Sequence, residues 1–232
     1  MILNFIKSMF FDFCAAFFSF RCHVCNDSCE FGVILCEGCL NKLKKSVAFP
    51  ELVDDTACGF NIYTMGSYKS FAADAVKIIK YKPSLKLAYI LAETCVENAN
   101  LKEFFKADDI LVPVPMHEKR LKKRGFNQAY VLAETYADKV GCLFSPALVR
   151  SRFTRPQADC TEQERLTNLN NAFSIDPGLD RAGFINKRLI VIDDVATTGT
   201  TLSKCVSALK DLKPKEIIAL VVAHSYKHKR FR

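Results

Sequence analysis

The chain has no internal repeat and no low-complexity tract, which excludes solenoids, collagen-like rods and long flexible linkers. It also lacks an uninterrupted apolar run of bilayer length, because its Phe-rich start, MILNFIKSMFFDFCAAFFSF, is broken by Lys7 and Asp12. That start has neither the basic n-region nor the small-residue cleavage site of a secretory signal. An amphipathic helix over residues 1–20, packed against the protein, is the expectation; membrane-surface contact or an atypical signal is the alternative. The expected location is cytoplasmic, with a peripheral position at the inner face of the membrane as the variant.

What is present is an ordinary globular composition, 50% apolar and 25% charged. At 232 residues the chain is long enough for one sizeable α/β domain with a small appendage. Its net charge of +8 favours anionic partners such as nucleotides, nucleic acid or a membrane surface. The 11 cysteines cluster early, and an odd count with paired CxxC spacing reads as metal binding in a reducing compartment rather than a disulfide framework.

The two knuckles are Cys22-x2-Cys25 and Cys36-x2-Cys39. Four thiolates so spaced suit tetrahedral zinc, and a site filled entirely by protein is structural rather than catalytic. Cys29 and His23 are rival ligands, and a redox pair is the alternative use of the thiols. The sequence thus divides into residues 1–20, a Cys-rich module over 21–58, and a unit over 59–232 that alternates strand-like and helical runs. Such alternation predicts α/β with parallel strands. Candidate strands are 60–68, 109–115, 171–175, 188–195 and 216–223. Helical stripes run through Phe71, Ala75, Ile78 and Ile79, through Tyr130, Ala133 and Ala137, and through Leu202, Val206, Leu209 and Leu212.

The most informative stretch is RLIVIDDVATTGTTLSKCVSALKDL, residues 188–212. Its branched apolar run is that of a strand covered on both faces, and ligands in open α/β sheets bind beyond the carboxyl ends of such strands. There stand Asp193 and Asp194, able to accept hydrogen bonds from neighbouring sugar hydroxyls and to approach Mg2+ through water. Ala196, Thr197, Thr198, Gly199, Thr200 and Thr201 then lead into a helix whose N-terminal amides suit a phosphate. An acid-capped strand followed by a simple Thr helix cap explains one Asp and one Thr, but not the whole run.

Two further stretches supply cations. LVPVPMHEKRLKKRGFNQAY, residues 111–130, ends a strand in a Pro-x-Pro turn and places Lys119, Arg120, Lys122, Lys123 and Arg124 in a loop running into a helix. The macrodipole disfavours cations at a helix start, which favours an anionic ligand over a solvated face or a nucleic-acid contact. RSRFTRPQADCTEQERLTNLNNAF, residues 150–173, brings Arg150, Arg152 and Arg155 into a long polar segment suited to a lid, or to a plain surface loop.

VIDDVATTGTTL closely resembles the phosphoribosyl pyrophosphate (PRPP) signature of type I phosphoribosyltransferases. The resemblance implies that Asp193 and Asp194 hold the ribose and that the run from Val195 and Ala196 to Thr201 surrounds the 5′-phosphate. Arg120, Lys123, Arg124, Arg152 and Arg155 of the basic stretches are then the expected pyrophosphate contacts, and the resemblance implies a fold of parallel sheet flanked by helices. In order, the four-Cys module, PVP…RGFNQ, RPQ…R…N…AF and DDVATTGTT resemble the ComF family, over nearly the whole chain. That family is linked to DNA uptake in naturally competent bacteria. What it implies is a phosphoribosyltransferase-type protein with structural Zn2+, Mg2+ bound with PRPP, and an acceptor the sequence does not name. The other reading is a non-catalytic PRPP- or nucleotide-sensing factor that binds single-stranded DNA and works beside proteins of a DNA-uptake apparatus. The basic tail Lys227, Lys229, Arg230 and Arg232 suits that second reading.

Overall fold

The computed structural model describes residues 20–30, 32–53, 59–150 and 172–225. The expected helix over 1–20, the tail after Ser225, and Arg152 and Arg155 therefore lie outside the described residues, apart from Phe20. Among the described residues no helix is long and apolar enough to cross a membrane.

A small ribbon opens the fold, β1 (Phe20–Arg21) with β2 (Ser28–Cys29), followed by helix α1 (Glu37–Lys45) and strand β3 (Glu51–Val53). After β4 (Ile62–Thr64) come three helices, α2 (Phe71–Tyr81), α3 (Leu85–Asn98) and the single turn α4 (Leu101–Phe104). Strand β5 (Ile110–Pro113) is followed by α5 (Glu118–Arg124), α6 (Gln128–Val140) and β6 (Leu143–Phe144). The ribbon β7 (Leu148–Arg150) with β8 (Phe173–Ile175) precedes β9 (Arg188–Ala196), α7 (Thr200–Leu209) and β10 (Glu216–His224).

The main sheet runs β3-β4-β10-β9-β5-β6, and all its pairs are parallel except β3 with β4. Its long members are β9 and β10, with Val191 opposite Ala219 and Asp193 opposite Val221. Both are rich in branched residues, and Leu189, Ile190, Val191 and Ile192 are wholly buried, as a strand covered on both faces requires. One face packs Ile190 and Ile192 beneath α2, α3 and α6, through Val76, Ile79, Leu91 and Leu132. The other packs Leu189 and Val191 beneath α7 and the β7–β8 ribbon, through Leu202, Val206 and Phe173. Cys22, Cys39 and Leu43 of the Cys-rich region share the first of these cores, and β3 joins the main sheet.

Three expectations change. The strand near 171–175 does not enter the parallel sheet; it pairs antiparallel with β7, its alternating burial showing a ribbon covered on one face only. Tyr130 does not share the buried stripe of α6, which runs through Ala129, Leu132, Ala133, Tyr136 and Ala137. Its ring instead stands edge-on to Phe144 at 4.9 Å. The cations of 119–124 are not a loop before a helix but a helix themselves, started by His117 and closed by Gly125 in the left-handed region (φ +85°). Lys122, Lys123 and Arg124 occupy its last turn, where the macrodipole favours them, so the dipole argument for an anionic ligand there does not stand.

Candidate functional site

Strand alternation determines where the two acids go. Asp193 continues the Leu189–Val191 side, toward α7 and the ribbon, and Asp194 continues the Ile190–Ile192 side, toward α2 and α6. The pair thus straddles the carboxyl edge of the sheet. The Asp194 N–H donates to Asp193 Oδ1 at 2.8 Å, and Lys80 Nζ, near the end of α2, donates to Asp194 Oδ1 at 2.8 Å. Asp194 is buried and Asp193 half-buried. Burial, then the neighbouring Asp194 charge, pushes the Asp193 carboxyl up to about 7, although the Asp194 amide and Lys80 oppose the shift.

Beyond Ala196 the chain turns through Thr197, Thr198 and Gly199, and Gly199 takes φ +68° at the start of α7. A Cβ is disfavoured in that conformation, which accounts for glycine at this point. No side chain caps α7, so its first amides, with the positive end of the helix dipole, remain donors for an outside anion. The Thr198 and Thr200 hydroxyls lie 2.9 Å apart. Thr197 and Thr201 line a cleft of about 360 Å³ whose floor holds Asp193, Asp194 and Val195.

The opposite wall of that cleft is basic. Arg120, Arg124 and Arg150 line it, together with Lys77 and Lys80 from α2. The RGFNQ segment builds this wall. Gly125 ends α5, Asn127 Oδ1 accepts from the Ala129 N–H to start α6, and Asn127 Nδ2 ties back to the Val114 carbonyl at 2.9 Å. Gln128 holds Arg124 through its Oε1 at 2.6 Å and reaches the Val76 carbonyl at 3.3 Å. Burial lowers the Arg124 pKa; the Asp194 charge pulls the other way, and Arg120 adds to the lowering.

Of the expected residues, the fold brings Asp193, Asp194, Val195, Thr197, Thr201, Arg120 and Arg124 to one cleft. Thr198 and Gly199 form the adjoining bend and Thr200 opens α7, while Lys123 is exposed and outside the cleft lining. Lys77, Lys80, Tyr68 and Tyr81 were not anticipated. The stripe that marks the buried face of α2 is a signal for its core, and the partner its other face meets is set by topology alone. For Mg2+, the acid pair offers hard oxygen donors, and Oδ2 of each has no hydrogen-bond partner among the described residues. That donor set fits an ion held partly through water and ligand oxygens.

The cysteines form a second centre. Cys22 and Cys25 lie in the turn after β1, Cys36 is the N-cap of α1, and Cys39 sits in its first turn. Their four sulfurs all lie within 4.8 Å of one another, with Cys25 and Cys36 at 3.6 Å. A tetrahedral Zn2+ with bonds near 2.3 Å needs sulfurs roughly 3.8 Å apart, so the cluster fits that ion. The Cys36 amide donates to Cys22 Sγ and the Cys39 amide to Cys36 Sγ, both at 3.4 Å. Burial alone would raise the Cys22 pKa, but amides of Cys25, Cys36 and Val24 outweigh it and lower the thiol to about 6. Cys29 bonds instead to the Asp27 carbonyl, and His23 is exposed; neither joins the cluster.

Residues 127–231 match the phosphoribosyl transferase domain family. The chain is 25% identical over 223 residues to competence protein F of Haemophilus influenzae, covering 87% of this chain and 95% of that one. It is 26% identical over 193 residues to DNA utilization protein YhgH of Salmonella typhimurium, covering 81% and 83%. Among solved structures, adenine phosphoribosyltransferase from Saccharomyces cerevisiae covers 82% of this chain and 89% of its own, at 15% identity and a TM-score of 0.39, a likeness too distant to carry weight.

Proposed function

Because this chain belongs to the ComF family and has the type I phosphoribosyltransferase fold with a four-Cys module, we propose that it binds PRPP with Mg2+ and transfers the phosphoribosyl group to a nitrogen acceptor, in a cell's handling of incoming DNA. One observation carries the reading: an acid pair, an uncapped helix start and a basic wall meet in a single cleft. Asp193 and Asp194 accept from the ribose hydroxyls, the amides of 197–201 take the 5′-phosphate, and Arg120, Arg124 and Arg150 neutralise the pyrophosphate. Mg2+, when bound, adds charge neutralisation for the leaving group. As the C1–O bond breaks, pyrophosphate leaves with the electron pair, the nitrogen bonds to C1, and its proton passes to solvent. The protein contributes positioning and charge stabilisation rather than a covalent intermediate.

In the same reading, residues 21–58 form a zinc-braced module and 59–232 the phosphoribosyl-binding unit, with Arg152 and Arg155 closing over the leaving group. Calorimetry with PRPP and Mg2+ tests the ligand; a silent titration of zinc-loaded protein sinks the reading. Pyrophosphate release across a panel of amines and bases then separates an enzyme from a sensor.

The exposed Lys119, Lys122 and Lys123 of α5 support the second reading, a PRPP-sensing factor that binds single-stranded DNA. They are not among the residues that line the cleft, and the Salmonella relative is named a DNA utilization protein. Association with a DNA-uptake apparatus and with the membrane surface belongs to this reading. Binding to single-stranded DNA should then weaken steeply with salt, and a flat response refutes it.

A further inference from the structure

Lys80 is the one side chain among the described residues that the hydrogen bonds and ion pairs place directly on the acid pair. It comes from a helix 114 positions away in sequence, and it bonds Asp194 Oδ1 at 2.8 Å. The carboxylate it meets is only 10% exposed, whereas its own side chain is 33% exposed and reaches open cleft. Asp194 is thereby neutralised before any ligand arrives. Around it the cleft presents Arg120, Arg124 and Arg150, and among the described residues no carboxylate other than Asp193 and Asp194 lines it. A bare divalent cation entering such a cleft meets cations first and finds one of its two carboxylates already paired. An anionic phosphorylated sugar meets the opposite field, because clefts lined by one sign of charge concentrate the ligand of the other sign.

Resting on the PRPP reading above, we propose that Lys80 is the resident counter-ion of the acid pair and excludes free divalent metal, so that metal enters only on its phosphorylated ligand. Lys80 is a positioning residue in this scheme. It holds Asp194 oriented through Oδ1, leaves Oδ2 of both aspartates for the sugar hydroxyls, and shifts toward the ligand's phosphate oxygens once the complex is bound. Without it, two neighbouring carboxylates with free oxygens at the end of one strand become an ordinary hard-cation site. A purely structural role would be different: the pair would then pin α2 to β9, and its removal would cost stability without changing what the acids bind.

The test uses Mn2+ alone as a paramagnetic probe on the full-length, zinc-loaded protein at pH 8, read by the loss of the free-ion spin-resonance signal. Wild-type protein should show no Mn2+ uptake at the acid pair. Lys80→Met should gain a site at least about tenfold tighter, as expected when a neighbouring positive charge is deleted. That site should vanish in the triple variant Lys80→Met, Asp193→Asn, Asp194→Asn, and Lys80→Arg should behave as wild type. Should Lys80→Met be poorly folded, Lys80→Gln serves instead, with the melting temperature recorded for each. Wild-type Mn2+ uptake at the acid pair, or a Lys80→Met protein that gains none, overturns the proposal. PRPP calorimetry on the same samples keeps the two readings apart. PRPP binding with no gain of Mn2+ in Lys80→Met defeats only the role of Lys80. No PRPP binding by any variant, with the Mn2+ site gained, defeats the ligand and leaves the counter-ion in place.

Discussion

The two ends of strand β9 each hold a carboxylate paired with a cation, and the two pairs are built for opposite purposes. At the amino end, Arg188 Nε donates to Asp109 Oδ1 at 2.8 Å, Nη2 reaches Oδ2, and the same guanidinium bonds the Phe104 carbonyl at 3.1 Å. Asp109 is fully buried, and its Oδ2 also accepts the Lys106 amide at 2.7 Å. Every lone pair that matters there is used, and the fork geometry is bidentate. At the carboxyl end, Lys80 touches one oxygen of Asp194 through a single flexible ammonium, and a cleft opens beside it. The first pair closes β5 against β9. The second is left incomplete, and incomplete hydrogen bonding in a concave, charged place is what a ligand needs.

The sharpest way to break this contrast is at the closed end. Asp109→Ala strands a partly buried guanidinium, and removing one partner of a buried pair costs about 3–5 kcal/mol. Urea denaturation should show that loss. At a temperature where the variant still folds, PRPP affinity should stay near wild type, since the open end is untouched. Asp193→Asn with Asp194→Asn should do the reverse. Hydrogen bonds to charged groups contribute about 1.5–3 kcal/mol each, so losing two weakens PRPP by roughly a hundredfold or more in calorimetry. Stability should change little, because relief of carboxylate repulsion and of the cost of burying charge offsets the lost Lys80–Asp194 pair, whose lysine is one-third exposed. Equal destabilisation by both changes would erase the distinction between the ends.

A milder probe is pH. Asp193 is raised to about 7 in the folded protein, above the value of about 4 it takes when unfolded. The folded chain therefore holds this proton more tightly, and the residue's contribution to stability falls as pH rises from about 4 to 7. Binding of a sugar diol requires the ionised form, so affinity moves the other way. Calorimetry should find PRPP binding weakening by up to about tenfold per unit below pH 7. A flat profile between pH 5 and 8 would show that Asp193 does not take part. Asp193→Asn should flatten the profile at its weaker end.

How much of this was readable in the chain depends on the range of the interaction. The order strand, acids, Thr/Gly bend and helix over 188–212 is local chemistry, and β9 and α7 stand where its periodicity puts them. Zinc-ligand spacing is also local, and the four named sulfurs do converge. Helix α3 was missed although Ser84 caps it and Leu87, Leu91 and Cys95 follow at helical spacing. Its buried positions are spread so widely around the axis that no narrow stripe stands out. The β7–β8 pairing was misplaced because a three-residue run carries too little pattern to say which sheet it joins. Lys80 was not legible at all. A lysine directly after the last residue of an apolar stripe reads as solvated, and only the parallel topology brings α2 over the end of β9.

The smallest expected effect lies in the bend that joins the acids to α7. Gly199 has φ +68°, and a Cβ there costs about 1 kcal/mol in strain. Gly199→Ala can relieve that strain only by rotating toward negative φ, which turns the first amides of α7 away from the cleft. If those uncapped amides hold the 5′-phosphate, the variant should lose roughly tenfold in affinity for PRPP, as for one charge-assisted hydrogen bond. It should lose a similar factor for ribose 5-phosphate, which has the phosphate but no pyrophosphate. For inorganic pyrophosphate, which engages the arginine wall, its affinity should not change. A loss that is equal for all three would mean the bend supports the whole cleft rather than one anion, and the open end of β9 would then be a single flexible unit instead of two fixed subsites.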